Sequence, residues 1–317
     1  MQISLVQPNF RQGGKIFSGY WLPHSIACVY TFVEEKNPDY FDVNRVIFRR
    51  EAVAVASESM RNDGMVLFSC YMWNWEYNLE LSKRIKEINP DAIIVFGGPQ
   101  VSEFRLEEQQ EEFYWVDSWI VSEGELSFEK LTNDLRTEGT VQKTYDAQRL
   151  MDLDIPSPYV NGFFDSIIKE NPEIKWSTTL ETNRGCPFKC SFCDWGSLTY
   201  SKIKKFPVPK VYQEIEWLGK NKIEYIFVAD ANFGVFPERD SEIVDIMLEV
   251  QATYDYPKVF NANWHKNSRQ NVIPIVKKLT SNGMNRGMTL SVQSMDTDVL
   301  KAIERKNMDM SHLKDMF

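Results

Sequence analysis

"WSTTLETNRGCPFKCSFCDWG", residues 176–196, runs a strand-like segment straight into three cysteines, Cys186, Cys190 and Cys193. Residues 176–182 are rich in threonine and bounded by polar residues, the composition of a β-strand. The whole chain has only five cysteines, so three inside one short segment calls for chemistry rather than packing. A structural zinc site takes four Cys or His ligands, with a second pair at a distance, and no second pair exists here. His265 and His312 stand alone, while Cys28 and Cys70 lie on apolar stretches where a free cysteine is a small core residue. A disulfide would use two thiols and strand the third. Three thiolates on one segment fit an iron–sulfur cluster that keeps one iron open.

Downstream, the strand starts a series. Strand patterns at 224–230, 258–264 and 287–293 alternate with helix patterns at 209–221, 241–253, 271–283 and 296–307. Together with 176–182 these make four βα units, an alternation that builds a parallel sheet covered by helices.

Upstream, the same alternation recurs. "ISLVQP" (3–8), "VNRVIF" (43–48), "GMVLFSCY" (64–71), "AIIVFGG" (92–98) and "SWIVSEG" (118–124) have the short, β-branched character of buried strands. "EYNLELSKRIKEI" (76–88) puts Leu79, Ile85 and Ile88 near one helical face, and "LSFEKLTNDL" (126–135) repeats the pattern with Leu126, Leu131 and Leu135. The expectation is a doubly wound parallel sheet over 1–137. Ligands of such sheets sit outside the carboxyl ends of the strands, here the loops 7–14, 69–75, 97–100 and 122–125. Residues 138–175, with Pro156, Pro158, Pro172, Gly139 and Gly162 and no sustained period, read as a linker.

Composition limits the partners. Lys and Arg total 36 against 45 Asp and Glu, a net charge of −9, which argues against a general nucleic-acid surface. No apolar run approaches the roughly 18 to 20 residues of a membrane span, and "MQISLVQPNF" lacks the marks of a secretion signal. A cytoplasmic protein is expected, crossing no membrane. Lys202, Lys204, Lys205 and Lys210 form a basic run, read as a solvated face or as a meeting place for an acidic partner.

"CPFKCSFC" (186–193) resembles the CxxxCxxC signature of the radical S-adenosylmethionine enzymes, including an aromatic residue, Phe192, before the last cysteine. In that superfamily the three cysteines hold a [4Fe–4S] cluster whose open iron binds S-adenosylmethionine. The reduced cluster splits this cofactor into methionine and a 5′-deoxyadenosyl radical. The resemblance implies metal ligation by Cys186, Cys190 and Cys193, with Phe192 beside the cofactor. "VADANFG" (228–234) is similar to the family segment near the methionyl amino group, which implies cofactor contacts from Asp230 and Asn232. "LSVQSMDTDVLKAIERKN" (290–307) resembles the family's fourth-strand stretch, on which Ser291 shares a face with Gln293 and is expected to reach the cofactor.

The N-terminal half is similar to the cobalamin-binding domain fused to many members of this superfamily. "FSCY" and "FGGPQVS" match its serine and double-glycine elements, so Ser69, Gly97 and Gly98 are expected to accommodate cobalamin. The DxHxxG motif that supplies a cobalt-binding histidine is absent. The stretch "VQPNFRQGGKIFSGYWLPHS" (6–25) places His24 in another setting, so either cobalamin binds without a protein imidazole or the domain keeps only the fold. Trp73 and Trp75 are candidates to wall the corrin or to fill the core.

The expectation is therefore an α/β protein. Its parts are a cobalamin-binding-like Rossmann-type domain over 1–137, a linker over 138–175 and a partial (β/α) radical S-adenosylmethionine barrel over 176–317. The family's barrel has more βα units than the four counted, so a chain truncated at its C-terminus is expected. The implied function is reductive cleavage of S-adenosylmethionine, with cobalamin-dependent methyl transfer or another radical rearrangement as the reaction. A radical enzyme without cobalamin is the alternative among enzymes, and an iron–sulfur or zinc-binding regulatory module the alternative of another class. A small-molecule substrate and a flavodoxin- or ferredoxin-type electron donor are the partners this implies.

Overall fold

A computed structural model describes residues 1–9, 19–146, 149–188, 190–193, 202–265, 269–288 and 293–305. The chain divides into two units, 1–151 with 155–175, and 152–154 with 176–317.

In the first unit, β1 (Gln2–Val6) leads past a short strand β2 (Gly19–Trp21) to the helix His24–Lys36. There follow β3 (Asp42–Ile47), β4 (Met65–Ser69), β5 (Ile93–Gly97), β6 (Ser118–Ile120) and β7 (Thr144–Tyr145). One sheet runs in the order β3-β1-β4-β5-β6-β7 with every pairing parallel. Its central strands are apolar on both faces because helices cover both. Val66, Phe68, Ile94, Phe96 and Trp119 meet Ala56, Met60, Leu81 and Ile85 of the helical layer formed by Val53–Ser59 and Trp75–Ile88. The helices His24–Lys36 and Gly124–Glu138 pack on each other and against β1, β4 and β6. The strand order reverses direction between β1 and β4, the point at which sheets of this kind place their ligands, outside the carboxyl ends of the strands.

Two expectations change here. On the helix Trp75–Ile88 the buried face is Asn78, Leu81, Ser82 and Ile85, one position round from the Leu79, Ile85 and Ile88 face read from the sequence. The Asn78 amide belongs inside because it donates to the Ser69 carbonyl and the Cys70 sulfur. The stretch 138–175 is not only a connector. Tyr145 pairs β7 with β6, and Tyr159 and Phe164 are fully buried, Tyr159 stacking on His24.

In the second unit, β8 (Lys175–Leu180), β11 (Tyr225–Phe233) and β12 (Val259–Trp264) form a parallel set with β11 in the middle. Each alternates buried and less buried residues. The helices Val208–Lys220 and Pro237–Tyr254 connect the strands and pack together, and Arg269–Ser281 packs on the latter. This is the strand–helix repeat expected from 176 onward. The expected fourth strand, with Ser291, lies mostly outside the described residues; the short helix Thr297–Ala302 follows it. No helix among the described residues is long and apolar enough to cross a membrane.

Candidate cluster and cofactor site

The cysteine segment leaves the carboxyl end of β8. Two short strands, β9 (Asn183–Arg184) and β10 (Lys204–Lys205), pair antiparallel, and residues 185–203 between them carry all three cysteines. Gly185 opens that segment at φ +112°, a backbone conformation side chains rarely allow. The Cys193 N–H donates to the Cys190 carbonyl (3.1 Å), and the Ser191 N–H donates to the Ile303 carbonyl (3.2 Å).

The register of β8 and β11 sets what stands beside this segment. Leu180 pairs with Val228, so Asp230, two residues on, comes level with Thr182. Asp230 is fully buried and accepts four hydrogen bonds. Its donors are the Thr182 N–H (2.7 Å) and hydroxyl (2.5 Å), and the Asn183 N–H (3.0 Å) and Nδ2 (2.6 Å). Burial nevertheless pushes its carboxyl up to about 7. Both oxygens are thus engaged by the protein, at the residues from which the cysteine segment departs. Asn232, buried two residues further on, donates from Nδ2 to the Cys186 sulfur at 3.3 Å.

A second donor reaches the segment from the far end of the chain. Arg305, 7 % exposed, places Nη1 3.5 Å from the Cys190 sulfur and its guanidinium 5.7 Å from the Phe188 ring. His265 stacks against Phe188 with ring centroids 5.9 Å apart, and burial, then the Arg305 charge, lowers its pKa. Phe192 is 53 % exposed. Two lysines of the basic run are engaged: Lys210 pairs with Glu214, and Lys205 lies over the Phe236 ring.

Among the described residues no three His, Cys, Asp or Glu side chains converge into a metal-holding group, so the fold gathers the three thiols on one segment but not at one point. The donor chemistry fits a thiolate-held cluster all the same. Two of the three sulfurs already face N–H groups, the outer-shell contacts that ligating thiolates accept.

In the first unit, Ser69 and Gly97 are register partners at the carboxyl ends of β4 and β5, so the serine and double-glycine elements are adjacent. Asn74, missed in the sequence, organises this edge. Its amide donates to the carbonyls of Ser69 (2.9 Å) and Pro8 (3.4 Å) and accepts from the Tyr71 N–H (2.7 Å). Trp75 packs edge-on against Phe96 and Phe113 in the core, whereas Trp73 is 39 % exposed and stacks on Tyr71. Gly98 sits at φ +98° with no room beside it, because a Cβ there would lie 2.9 Å from the Cys70 carbonyl oxygen. His24 is buried with Nε2 3.3 Å from the Cys28 sulfur, occupied within the fold.

Comparison with known proteins agrees with this geometry. The Radical SAM superfamily model matches residues 180–311. The chain is 33% identical over 317 residues to the cobalamin-dependent radical SAM methyltransferase TokK of Streptomyces tokunonensis, covering 93% of this chain and 46% of that protein. It is 31% identical over 336 residues to a 2-(S-pantetheinyl)-carbapenam-3-carboxylate methyltransferase of Streptantibioticus cattleyicolor, covering 97% and 48%. The chain spans about half the length of these curated relatives. Among solved structures, the cobalamin-dependent radical enzyme OxsB, with aqua-cobalamin and S-adenosylmethionine bound, superposes with a TM-score of 0.69 at 16% identity, covering 97% of this chain and 46% of that one. The methyltransferase TsrM of Kitasatospora setae gives 0.66 at 13% identity, covering 99% and 64%. At such identities these two likenesses speak for the fold.

Proposed function

Because the chain belongs to the radical S-adenosylmethionine superfamily, with the two-part fold of its cobalamin-dependent members, we propose that it works in a cobalamin-dependent methyl transfer. The observation that carries this reading is the match to a cobalamin-dependent radical SAM methyltransferase along 93% of the chain, through both units.

Cys186, Cys190 and Cys193 would hold the [4Fe–4S] cluster. When bound, the cluster supplies one electron that cleaves S-adenosylmethionine, and cobalamin supplies a carrier for the methyl group. The chain's own residues do the positioning. Asn232 and Arg305 direct N–H groups at ligating sulfurs, and Asp230 fixes the backbone from which the segment departs. Phe192, exposed on the cysteine segment, is available to a cofactor beside it, and Ser291 keeps the role expected from its stretch. In the first unit, Ser69 and Gly97 would border cobalamin at the sheet's carboxyl edge. Gly98 serves the turn that shapes that edge, and His24 would not ligate cobalt because its ring is held by Cys28 and Tyr159. The substrate is a small molecule, the electron donor of flavodoxin or ferredoxin type, and the compartment the cytoplasm.

The test is anaerobic reconstitution with iron, sulfide, cobalamin and S-adenosylmethionine. The expected outcome is about four irons and four sulfides per chain, retention of cobalamin through gel filtration, and formation of 5′-deoxyadenosine or S-adenosylhomocysteine. Zinc without sulfide would overturn the cluster, and a loaded cluster without retained cobalamin would move the reading to a cobalamin-free radical enzyme.

A further inference from the structure

Both legs of the cysteine segment are tied by one side chain that plays no part in the chemistry so far described. The N-terminal leg passes through Thr182 and β9; the C-terminal leg returns through β10 to Phe206. The legs meet in a two-residue ladder and in one bond from the Phe206 N–H to the Thr182 carbonyl (3.0 Å). A ribbon that short has little stability of its own.

Arg239 lies across this junction. Its Nη2 donates to the Thr182 carbonyl (2.7 Å) and to the Phe206 carbonyl (2.9 Å), and its Nη1 donates to the Thr182 hydroxyl (3.2 Å). The guanidinium is aimed by Asp240, whose Oδ1 accepts from Nη1 at 3.2 Å. The other oxygen of Asp240 accepts from the N–H groups of Gly234 (2.8 Å) and Phe236 (3.1 Å). Arg239 is 12 % exposed at the side chain, so these charge-assisted bonds are shielded from water. It starts the helix that follows β11, the strand whose end carries Asn232. The clamp therefore joins three things: both legs of the cysteine segment, the Asp230-bonded Thr182, and the element that presents a donor to Cys186.

We propose that Arg239 is a positioning residue that keeps the mouth of the cysteine segment closed and so governs how firmly a cluster is retained. This rests on the cluster reading above. A planar fork is needed to reach two carbonyls at once; a lysine ammonium, a single point of charge, would not reproduce it.

The experiment uses the full 317-residue chain, reconstituted anaerobically with ferrous iron and sulfide. Release of iron to a ferrous chelator is followed by absorbance well below the unfolding temperature, and the thermal midpoint of each protein is measured alongside. Arg239→Met is expected to release iron about tenfold faster than wild type, the scale of outer-shell changes at metal sites. Arg239→Lys should fall between them. Met247→Ala, a buried change on the same helix but away from the clamp, provides a control for general destabilisation. It should release iron at the wild-type rate even where its midpoint falls as far as that of Arg239→Met. Wild-type release from Arg239→Met, or equally fast release from Met247→Ala at a matched midpoint, overturns the clamp. Failure of the wild-type chain to take up iron and sulfide overturns the cluster reading itself, and the clamp with it.

Discussion

The Asn232 side-chain amide lies 3.3 Å from the Cys186 sulfur and donates to it. An N–H aimed at a ligating sulfur stabilises the more negative, reduced cluster, and so raises its reduction potential. Asn232→Ala should leave three thiolates in place but lower that potential. A hydrogen bond of about 1 kcal/mol corresponds to about 40 mV for one electron. A redox titration followed by electron paramagnetic resonance measures the shift, and an unchanged or higher potential would show that the amide has another purpose.

The five thiols separate by environment. Burial pushes the Cys70 thiol up to about 12, and Cys28 is also buried, whereas Cys186 and Cys193 are partly exposed. Only the thiolate alkylates at an appreciable rate. At about pH 8, iodoacetamide should therefore label the accessible Cys186 and Cys193 in the cluster-free chain while sparing Cys70, and cluster loading should protect both. Peptide mass spectrometry reads the pattern. Alanine at 186, 190 or 193 should abolish iron uptake, and alanine at 28 or 70 should not. Iron loss in Cys70→Ala would mean that a fourth cysteine takes part.

What could be read in advance followed from local pattern. The apolar runs at β1, β4 and β5 needed only their β-branched composition, and the cysteine triad needed only its spacing. The partners of Arg239 were not readable. It bonds backbone carbonyls 57 and 33 residues away, and a carbonyl leaves no mark on the residue type that carries it. β7 is two residues long, too short to show a period, which is why 138–175 read as a connector throughout. The face of Leu79, Ile85 and Ile88 read from the apolar spacing left out Asn78 and Ser82, which the helix buries. Ser82 is satisfied within the helix by the Leu79 carbonyl, whereas the bonds of Asn78 to Ser69 and Cys70 become visible only once the helix is placed on the sheet.

Gly98 makes its close approach to the protein's own backbone. The sequence suggests that Gly98 helps to accommodate cobalamin, and on that reading alone Gly98→Val would block the cofactor and spare the fold. The structure fills that space with the Cys70 backbone: the added Cβ would meet its carbonyl oxygen at 2.9 Å and its nitrogen at 3.0 Å, at φ +98°. Gly98→Val should therefore destabilise the chain by about 1–3 kcal/mol through backbone strain, and Gly98→Ala should do so as well. Thermal unfolding of the cofactor-free proteins tests this. A variant that unfolds like wild type and only fails to retain cobalamin would restore the original reading.

Asp230 gives the chain a pH dependence whose sign is fixed by the direction of its shift. Its carboxyl moves from an ordinary 3.8 up to about 7, driven by burial and, more weakly, by the charge of Asp240; the hydrogen bonds from Thr182 and Asn183 oppose the rise without cancelling it. Asp240 is also raised by burial, against the pull of Arg239 and of its backbone donors. Between about pH 4 and pH 7 the folded chain thus holds a proton at Asp230 that the unfolded chain has released. Stability from this group is fully present at the acid end and is lost as pH rises through the folded value, by at most about 1.4 kcal/mol per pH unit. Asp230→Asn should remove that part of the slope whatever it does to absolute stability, leaving the contribution of Asp240 behind. Urea unfolding of the cluster-free wild-type and Asp230→Asn chains across this range provides the comparison. Parallel pH profiles for the two proteins would show that Asp230 is ionised in the folded state throughout, its four donors outweighing its burial.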